Sequence, residues 1–370
     1  MNIAIINSAG FWPMGWATDE TSQQDTIQTL TRLGVNVTVT EVANVDELVS
    51  FLTTLKQEES SDSYLIWPNA YEVFLDQHSN QKAWLADIIE EHGFALIGNN
   101  AEALRNVMSK SQCQRILSNH RVPIPAFLSV DQSLLDDAVL LQQSLETHQL
   151  SYPLFIKPHN LSTSKGITQD NVVYCFDTLY EQVNLIGKNF GFPVMIEEYL
   201  PGQDITVSVF MTGDSPSTLP TYYDTKIYDD PGAVLDHSIR MRDWDDGKWL
   251  RVVEEPEVLE AINEVVVPAA IAVGIEGFTR IDCRFDRQGK LKVFDVNGLP
   301  GLELPFSTTV WQMIVKLDKH DQQFAFETLI SLVVYCAALR YNLNMSSAIK
   351  TRAEAFIFNK ALNFEVHETA

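Results

Sequence analysis

The chain reads as a mixed α/β and α+β protein built from three successive units, and three observations carry that expectation. Strand-like and helix-like stretches alternate from residue 3 to about residue 97, the mark of a parallel sheet covered by helices. After the connector Val122-Pro123-Ile124-Pro125 the texture changes to shorter strands around two helices; each proline disfavours helix in the residue before it. A long polar segment, 224–248, then precedes a helix, two strands and an apolar helical tail. The expected domains are an N-terminal parallel α/β unit over 1–124, a central unit over 125–213, and a C-terminal unit with an antiparallel sheet over 214–370.

Each element has its own reason. Residues 3–7, apolar from 3 to 6, read as a buried strand, and 21–33 carry helical periodicity up to a Gly34 stop. Residues 35–42 predict a second strand, 45–55 a second helix and 64–67 a third strand. A helix over 81–92, a short strand over 95–97 and a helix over 101–119 complete the first unit. The central unit offers strands at 152–157, 172–175, 194–199 and 206–211. The third resumes with a helix over 258–273.

Lys and Arg number 26 against 49 Asp and Glu, a net charge of −23. That balance argues against nucleic acid or an anionic membrane as the main partner, while leaving room for an anion in a local basic pocket. Cys113, Cys175, Cys283 and Cys336 lack the paired spacing of a zinc site or a disulfide framework, and are expected to be reduced. The opening MNIAIINSAG carries neither a basic n-region nor a cleavage site, so no signal peptide is expected. The longest apolar run, 329–339, is shorter than a bilayer crossing and reads as a buried helix. A soluble, cytoplasmic protein is the expectation.

The stretch FTRIDCRFDRQGKLKVFDVN is the most informative. Thr279, Ile281, Cys283 and Phe285 alternate with Arg280, Asp282 and Arg284; Leu291, Val293, Asp295 and Asn297 follow period two and are expected on one face. A turn at RQGK, with 286 opposite 291, places Asp282 across from Asp295 and Arg280 across from Asn297. Cross-strand partners lie about 5 Å apart, and two carboxylates that close need a proton or a cation between them. Oxygen ligands favour a hard cation such as Mg²⁺. A surface hairpin whose acids pair with Arg280 and Arg284 is the plain alternative.

Three scattered signals point to a nucleotide. Lys157 ends the strand YPLFIKP, and the following loop offers Thr163, Ser164, Gly166 and main-chain N–H groups suited to phosphate. Glu197, Glu198 and Asp204 flank a Pro-Gly turn, where acids can meet an amino group and ribose hydroxyls. Lys110 begins or sits within a helix. Each also has an ordinary reading as a solvated loop, turn or surface residue.

Taken in order, these residues resemble the ATP-grasp superfamily, most closely the D-alanine–D-alanine ligases. The matching pieces are Met108-Ser109-Lys110; Ile156-Lys157-Pro158 with Thr163-Ser164-Lys165-Gly166; Ile196 through Asp204; Arg280-Ile281-Asp282; and Asp295-Val296-Asn297-Gly298-Leu299-Pro300-Gly301. The likeness spans roughly residues 1–310 and implies a three-domain ATP-grasp fold whose central domain is a lid. It implies that Lys110 and Lys157 hold phosphates, and that Thr163, Ser164 and Gly166 close over them. Glu197, Glu198 and the Leu200 main chain would meet adenine, and Asp204 the ribose. Asp282, Asp295 and Asn297 would bind two Mg²⁺, with Mn²⁺ as a substitute. Arg280, Lys226 and Ser164 become the catalytic candidates, with Lys226 on a closing loop that also contacts the nucleotide. Glu20, in Asp19-Glu20-Thr21-Ser22, would grip a substrate ammonium, with Arg280, Gly301 and Glu303 on the substrates. As a helix N-terminal acid, Glu20 is equally well explained by the dipole.

The departures lie on the substrate side. WPNAYEVFLDQHSNQ replaces the family's H-G-x-x-G-E-D-G, Ile227 stands where a tyrosine is expected although Tyr228 is adjacent, Asp295 replaces a glutamate, and Leu302-Glu303-Leu304-Pro305-Phe306 follows the Pro-Gly. The expected function is an ATP- and Mg²⁺-dependent carboxylate–amine ligase. The rivals are a specialised amino-acid ligase similar to those acting on mycosporine cores, and a non-catalytic ATP-binding module. Expected partners are ATP and small carboxylate and amine substrates, neither nucleic acid nor membrane, with a homodimer as a candidate assembly.

Overall fold

The computed structural model describes residues 1–370 except 59–63, 79, 160, 162–163, 214, 229–232, 241–248, 305, 318–320 and 366–370. The first sheet is parallel in the order β2 (Asn36–Val42), β1 (Asn2–Ser8), β3 (Tyr64–Pro68), β6 (Ala95–Leu96). Alternate residues of β1 enter two different cores. Ala4 and Ile6 pack beneath the helices Val45–Glu58 and Leu85–Glu91, while Ile3 and Ile5 join a second core with helix Glu20–Arg32. A strand buried on both faces reads as a near-continuous apolar run, which is why 3–7 was legible.

That second core reaches the far end of the chain. Helices Thr308–Leu317, Gln322–Arg340 and Ser347–Glu365 bury Trp311, Leu329, Val333, Ile349 and Phe356 against it. The C-terminal tail therefore roofs the first sheet. Gln322–Arg340 is long and apolar enough to cross a bilayer by length and composition, longer than its apolar run suggested, yet 72% of that window is buried inside the protein. Glu327 fastens this roof by pairing with Arg32 at 2.9 Å and Arg352 at 2.9 Å.

Two helical expectations need correction. In place of a helix over 81–92, β5 (Lys82–Trp84) pairs antiparallel with β4 (Glu72–Phe74), and only Leu85–Glu91 is helical. Tertiary pairing overrides the local preference: Val73 sinks into the core, fully buried, while the Phe74 ring packs at a tilt against Phe11. The helix expected over 101–119 is two helices, Ala101–Met108 and Lys110–Asn119. Ser109 is extended (φ −93°, ψ 108°), its side chain accepting from the Gln112 N–H as an N-cap. Lys110 is thereby the first residue of a helix.

The second sheet is antiparallel, β7 (Phe127–Val130), β10 (Val194–Glu198), β8 (Leu154–Pro158) and β9 (Val172–Val173), with helices Ala138–Thr147 and Phe176–Phe190 on its core. The third runs β13 (Leu250–Val252), β12 (Ser217–Tyr223), β11 (Asp204–Phe210), β14 (Phe278–Phe285), β15 (Leu291–Asn297), over helix Pro256–Ala272. β11, expected in the central unit, thus pairs with β12 and β14 of the third sheet. Sheet membership changes at the Pro-Gly turn between Glu198 and Asp204.

The hairpin β14–β15 departs from its expected register twice, and the two departures cancel. Phe285, not residue 286, faces Leu291; a bulge then leaves Phe294 without a counterpart, so that Asp282 does face Asp295 and Arg280 does face Asn297. The bulge also corrects the facial assignment. Leu291, Val293 and Val296 lie in the core, whereas Phe294, Asp295 and Asn297 line a cavity. Bulges of this kind re-aim side chains.

Candidate active site

Between the sheets lies a cavity of about 730 Å³. Along β14 the outward residues succeed one another as three rungs. Arg284 faces Asp204 on β11; Asp282 lies between Thr206 and Asp295; Arg280 lies between Ser208 and Asn297. Successive same-face rungs are roughly 7 Å apart.

The rungs are tied by charge. Arg284 Nε is 3.1 Å from Asp204 Oδ1, and Tyr228 donates its phenol to Asp204 Oδ2 at 2.5 Å. Burial first, and then the Asp204 charge, push the Tyr228 phenol well above its usual range. Asp282 Oδ1 accepts from Thr206 Oγ1 at 2.6 Å and pairs with Arg280 Nε at 3.4 Å. The plain alternative for Arg280 therefore describes one contact of Asp282, while Arg284 serves Asp204.

Across the hairpin, Lys110 donates to Asp295 Oδ1 at 2.5 Å. Burial would raise the Asp295 carboxyl, but Lys110 and Lys157 outweigh it and hold it below the usual range, as an anion. Asn297 Oδ1 accepts from the Leu299 N–H at 3.1 Å. On β8, Lys157 is 2.8 Å from Glu197 Oε1 and donates to the carbonyl of the bulged Phe294 at 3.1 Å. Burial pushes the Glu197 carboxyl up despite that ammonium. Glu198 pairs with Lys292 at 2.7 Å.

The loop after β8 crosses to the segment before helix His237–Arg240. Ser164, at φ +54°, donates to the Leu235 carbonyl at 2.9 Å, and Gln169 Nε2 donates to the Val234 carbonyl at 2.9 Å and Asp236 Oδ2 at 2.7 Å. Gly166 has φ +79°, and a Cβ there would lie 2.8 Å from both Phe190 and Pro158. The position demands glycine.

Most sequence-predicted residues meet here. Lys110, Lys157, Ser164, Glu197, Glu198, Leu200 and Asp204 line the cavity, together with Arg280, Asp282, Asp295, Asn297, Gly301 and Glu303. Gly166 shapes the loop without lining it. Lys226 is exposed in the turn Thr225–Ile227, and Glu20 is exposed behind the Asp19 N-cap; the structure brings neither to the cavity. Thr163 lies outside the described residues. Sequence reasoning missed Lys292, and it did not assign Arg284 or Tyr228 to Asp204. It also missed the Phe294 carbonyl, since no side-chain pattern announces a main-chain acceptor.

Among the described residues no group of three or more His, Cys, Asp or Glu is placed to hold a metal. The candidate donors are two carboxylates and an amide. Asp282 and Asp295 face each other in register and Asp295 is held ionised; Asp295 has one oxygen beyond its bond to Lys110, while the second Asp282 oxygen lies 3.5 Å from Arg280 Nη2. An all-oxygen set of this kind fits a hard divalent cation.

An antiparallel sheet presenting acids to one lysine from a second sheet and another from a helix start is the arrangement of an ATP-grasp fold. The family model described as D-ala D-ala ligase C-terminus matches residues 116–331, and the chain belongs to that family. A D-alanine–D-alanine ligase of Thermoanaerobacter sp. (strain X514) is 24% identical over 255 residues, covering 66% of this chain and 64% of that protein. One from Streptococcus agalactiae serotype Ia is 26% identical over 220 residues, covering 59% and 57%. The chain thus spans somewhat less than two thirds of the length of these relatives. Among solved structures, the Bacillus anthracis D-alanine–D-alanine ligase complexed with ATP has a TM-score of 0.59 at 16% identity, covering 92% of this chain and 99% of that one. The Bacillus licheniformis L-amino acid ligase has a TM-score of 0.51 at 18% identity, covering 81% and 67%. These likenesses show the fold.

Proposed function

We propose that the chain is an ATP- and Mg²⁺-dependent ligase joining a small carboxylate to an amine through an acyl phosphate, with release of ADP and phosphate. The observation that carries this reading is the order of rungs along β14: a polar pair at Asp204, a facing acid pair at Asp282 and Asp295, then Arg280. That order suits ribose, metal-bound phosphate and reacting carboxylate in line. Lys110 and Lys157 would hold phosphate oxygens, exchanging the carboxylates they now pair with for a ligand's charge. Glu197, Glu198 and the Leu200 main chain would meet the base.

Asp282, Asp295 and Asn297 would hold Mg²⁺, which when bound neutralises phosphate charge. Thr206 fixes the Asp282 carboxylate from behind, and Arg280 would stabilise the charge developing on the reacting carboxylate. The clasp of Ser164 and Gln169 onto 234–236 would keep water from the acyl phosphate. Lys226 would act only after its turn moves inward, and the exposed position of Glu20 favours its plain role at a helix N-terminus.

The test is ATP-dependent phosphate release over a panel of D- and L-amino acids, other carboxylates and amines. Release that requires both a carboxylate and an amine supports the ligase. Tight Mg–ATP binding without release from any pair would replace it with an ATP-binding module, and strong D-alanine dependence would make D-alanine the substrate.

A further inference from the structure

Beyond Arg280 the cavity leaves the third sheet and meets the N-terminal unit. Thr18 donates its main-chain N–H to Glu303 Oε1 at 2.9 Å, and Leu302 donates to the Trp16 carbonyl at 2.8 Å. Gly15 and Ala17 are pinned by Asn69, whose Oδ1 accepts from the Ala17 N–H at 2.9 Å; a Cβ on Gly15 would lie 1.9 Å from the Asn69 carbonyl. This end is therefore a built wall. Apolar groups from both units, Phe11, Met14 and Phe306, line it, and Met14 and Phe306 are largely exposed to the opening.

Its charges do not balance. Lys82 is 3.1 Å from Glu72 and 4.7 Å from the Phe11 ring centroid, so this ammonium already has an acid and an aromatic face. Glu303 is half-buried, takes one N–H from Thr18, and pairs with no cation among the described residues. With Glu72 and Lys82 paired to each other, Glu303 is the carboxylate left to meet a ligand's cation here.

We propose that Glu303 is an ammonium-binding residue, and that the amine substrate is a cation with an apolar body whose own carboxylate is absent or blocked. The amine's role as acceptor rests on the ligase reading; the binding preference does not. A zwitterionic amino acid held by its ammonium would bring its own carboxylate close to Glu303, where like charges repel. An amine of net charge +1 neutralises the end and lays its apolar part on Phe11, Met14 and Phe306.

The experiment is calorimetric titration of the full chain with 2-phenylethylamine, phenylalanine and 3-phenylpropionate, without turnover. The expected order places 2-phenylethylamine about tenfold or more ahead of phenylalanine, with phenylpropionate weakest, the size of one charged hydrogen bond. Glu303→Gln should reduce phenylethylamine affinity about tenfold and abolish the preference, its fold checked by thermal unfolding. Phenylalanine binding as well as the amine, or unchanged affinity in a folded Glu303→Gln, overturns the proposal. If that variant fails to fold, the wild-type ligand order alone decides. The amine preference without Mg–ATP binding would sink the ligase reading and leave this one standing; Mg–ATP turnover without the preference would do the reverse.

Discussion

The cavity is walled by two antiparallel ribbons that differ in nearly every respect. β14–β15 belongs to a five-stranded sheet, is backed by the core under helix Pro256–Ala272, and aims Arg280, Asp282 and Asp295 inward. β4–β5 is a separate two-stranded piece whose ion pair, Glu72–Lys82, is 24% and 40% exposed. An isolated two-stranded ribbon is marginal in water, so this wall leans on Phe11 and Val73. The contrast teaches that the wall carrying the proposed chemistry is broad, backed by a core and deeply set. The wall facing the other end of the cavity is thin and open to change.

The largest effect that would test this contrast is Asp282→Asn. Turnover should fall by about a hundredfold or more, as when a catalytic metal ligand or its supporting shell is removed, with the unfolding midpoint little changed. Phosphate release at saturating Mg²⁺ checks it, and undiminished turnover would strip this wall of its assigned role. Next, Lys157→Ala should weaken nucleotide binding and also leave Glu197, 2% exposed, without its ion-pair partner. Breaking a buried pair costs about 3–5 kcal/mol, visible in urea unfolding of the nucleotide-free protein and partly restored by adding Glu197→Gln.

Lys82→Ala should be far milder. An exposed pair contributes about 0–1 kcal/mol, and calorimetry should find nucleotide affinity unaltered; a large loss of stability would show that the thin wall is structural after all. The smallest expected effect is one of pH. Burial alone would raise the Asp236 carboxyl, but the Ile239 N–H, Ser238 and Gln169 hold it below its usual value. A depressed folded-state pKa means that its contribution is complete above the unfolded value of 3.8 and is lost as pH falls through the folded one. Protection of the Val234 amide, bonded to Gln169, should therefore drop in hydrogen exchange as the solution is acidified below about pH 4, and Asp236→Asn should flatten that response.

The same contrast explains what the sequence disclosed. β14 alternates over eight residues and β1 carries the apolar run 3–6, so periodicity named both, and the ordered motifs collected most of the charged residues of the cavity. β4 and β5 have three residues each, too few for a period to emerge, and they are anchored by Val73 in the core and by Phe74 against the distant Phe11. β11 carried a clear strand signal but no sign of which sheet it joins. Glu20 and Lys226 sat in matching motifs, yet their placement depends on how a loop folds, which spacing alone does not determine.

The extra residue in β15 has a consequence for engineering. Omitting Phe294 would let 283 remain across from 293 and 282 across from 295, giving an unbroken ladder. A stability-driven redesign would favour that shorter, tidier strand. It would also discard the carbonyl that receives both Lys157 and Gln114, leaving Lys157 with Glu197 alone and the Gln114 amide without its acceptor. Streamlining here would trade a main-chain acceptor for regularity.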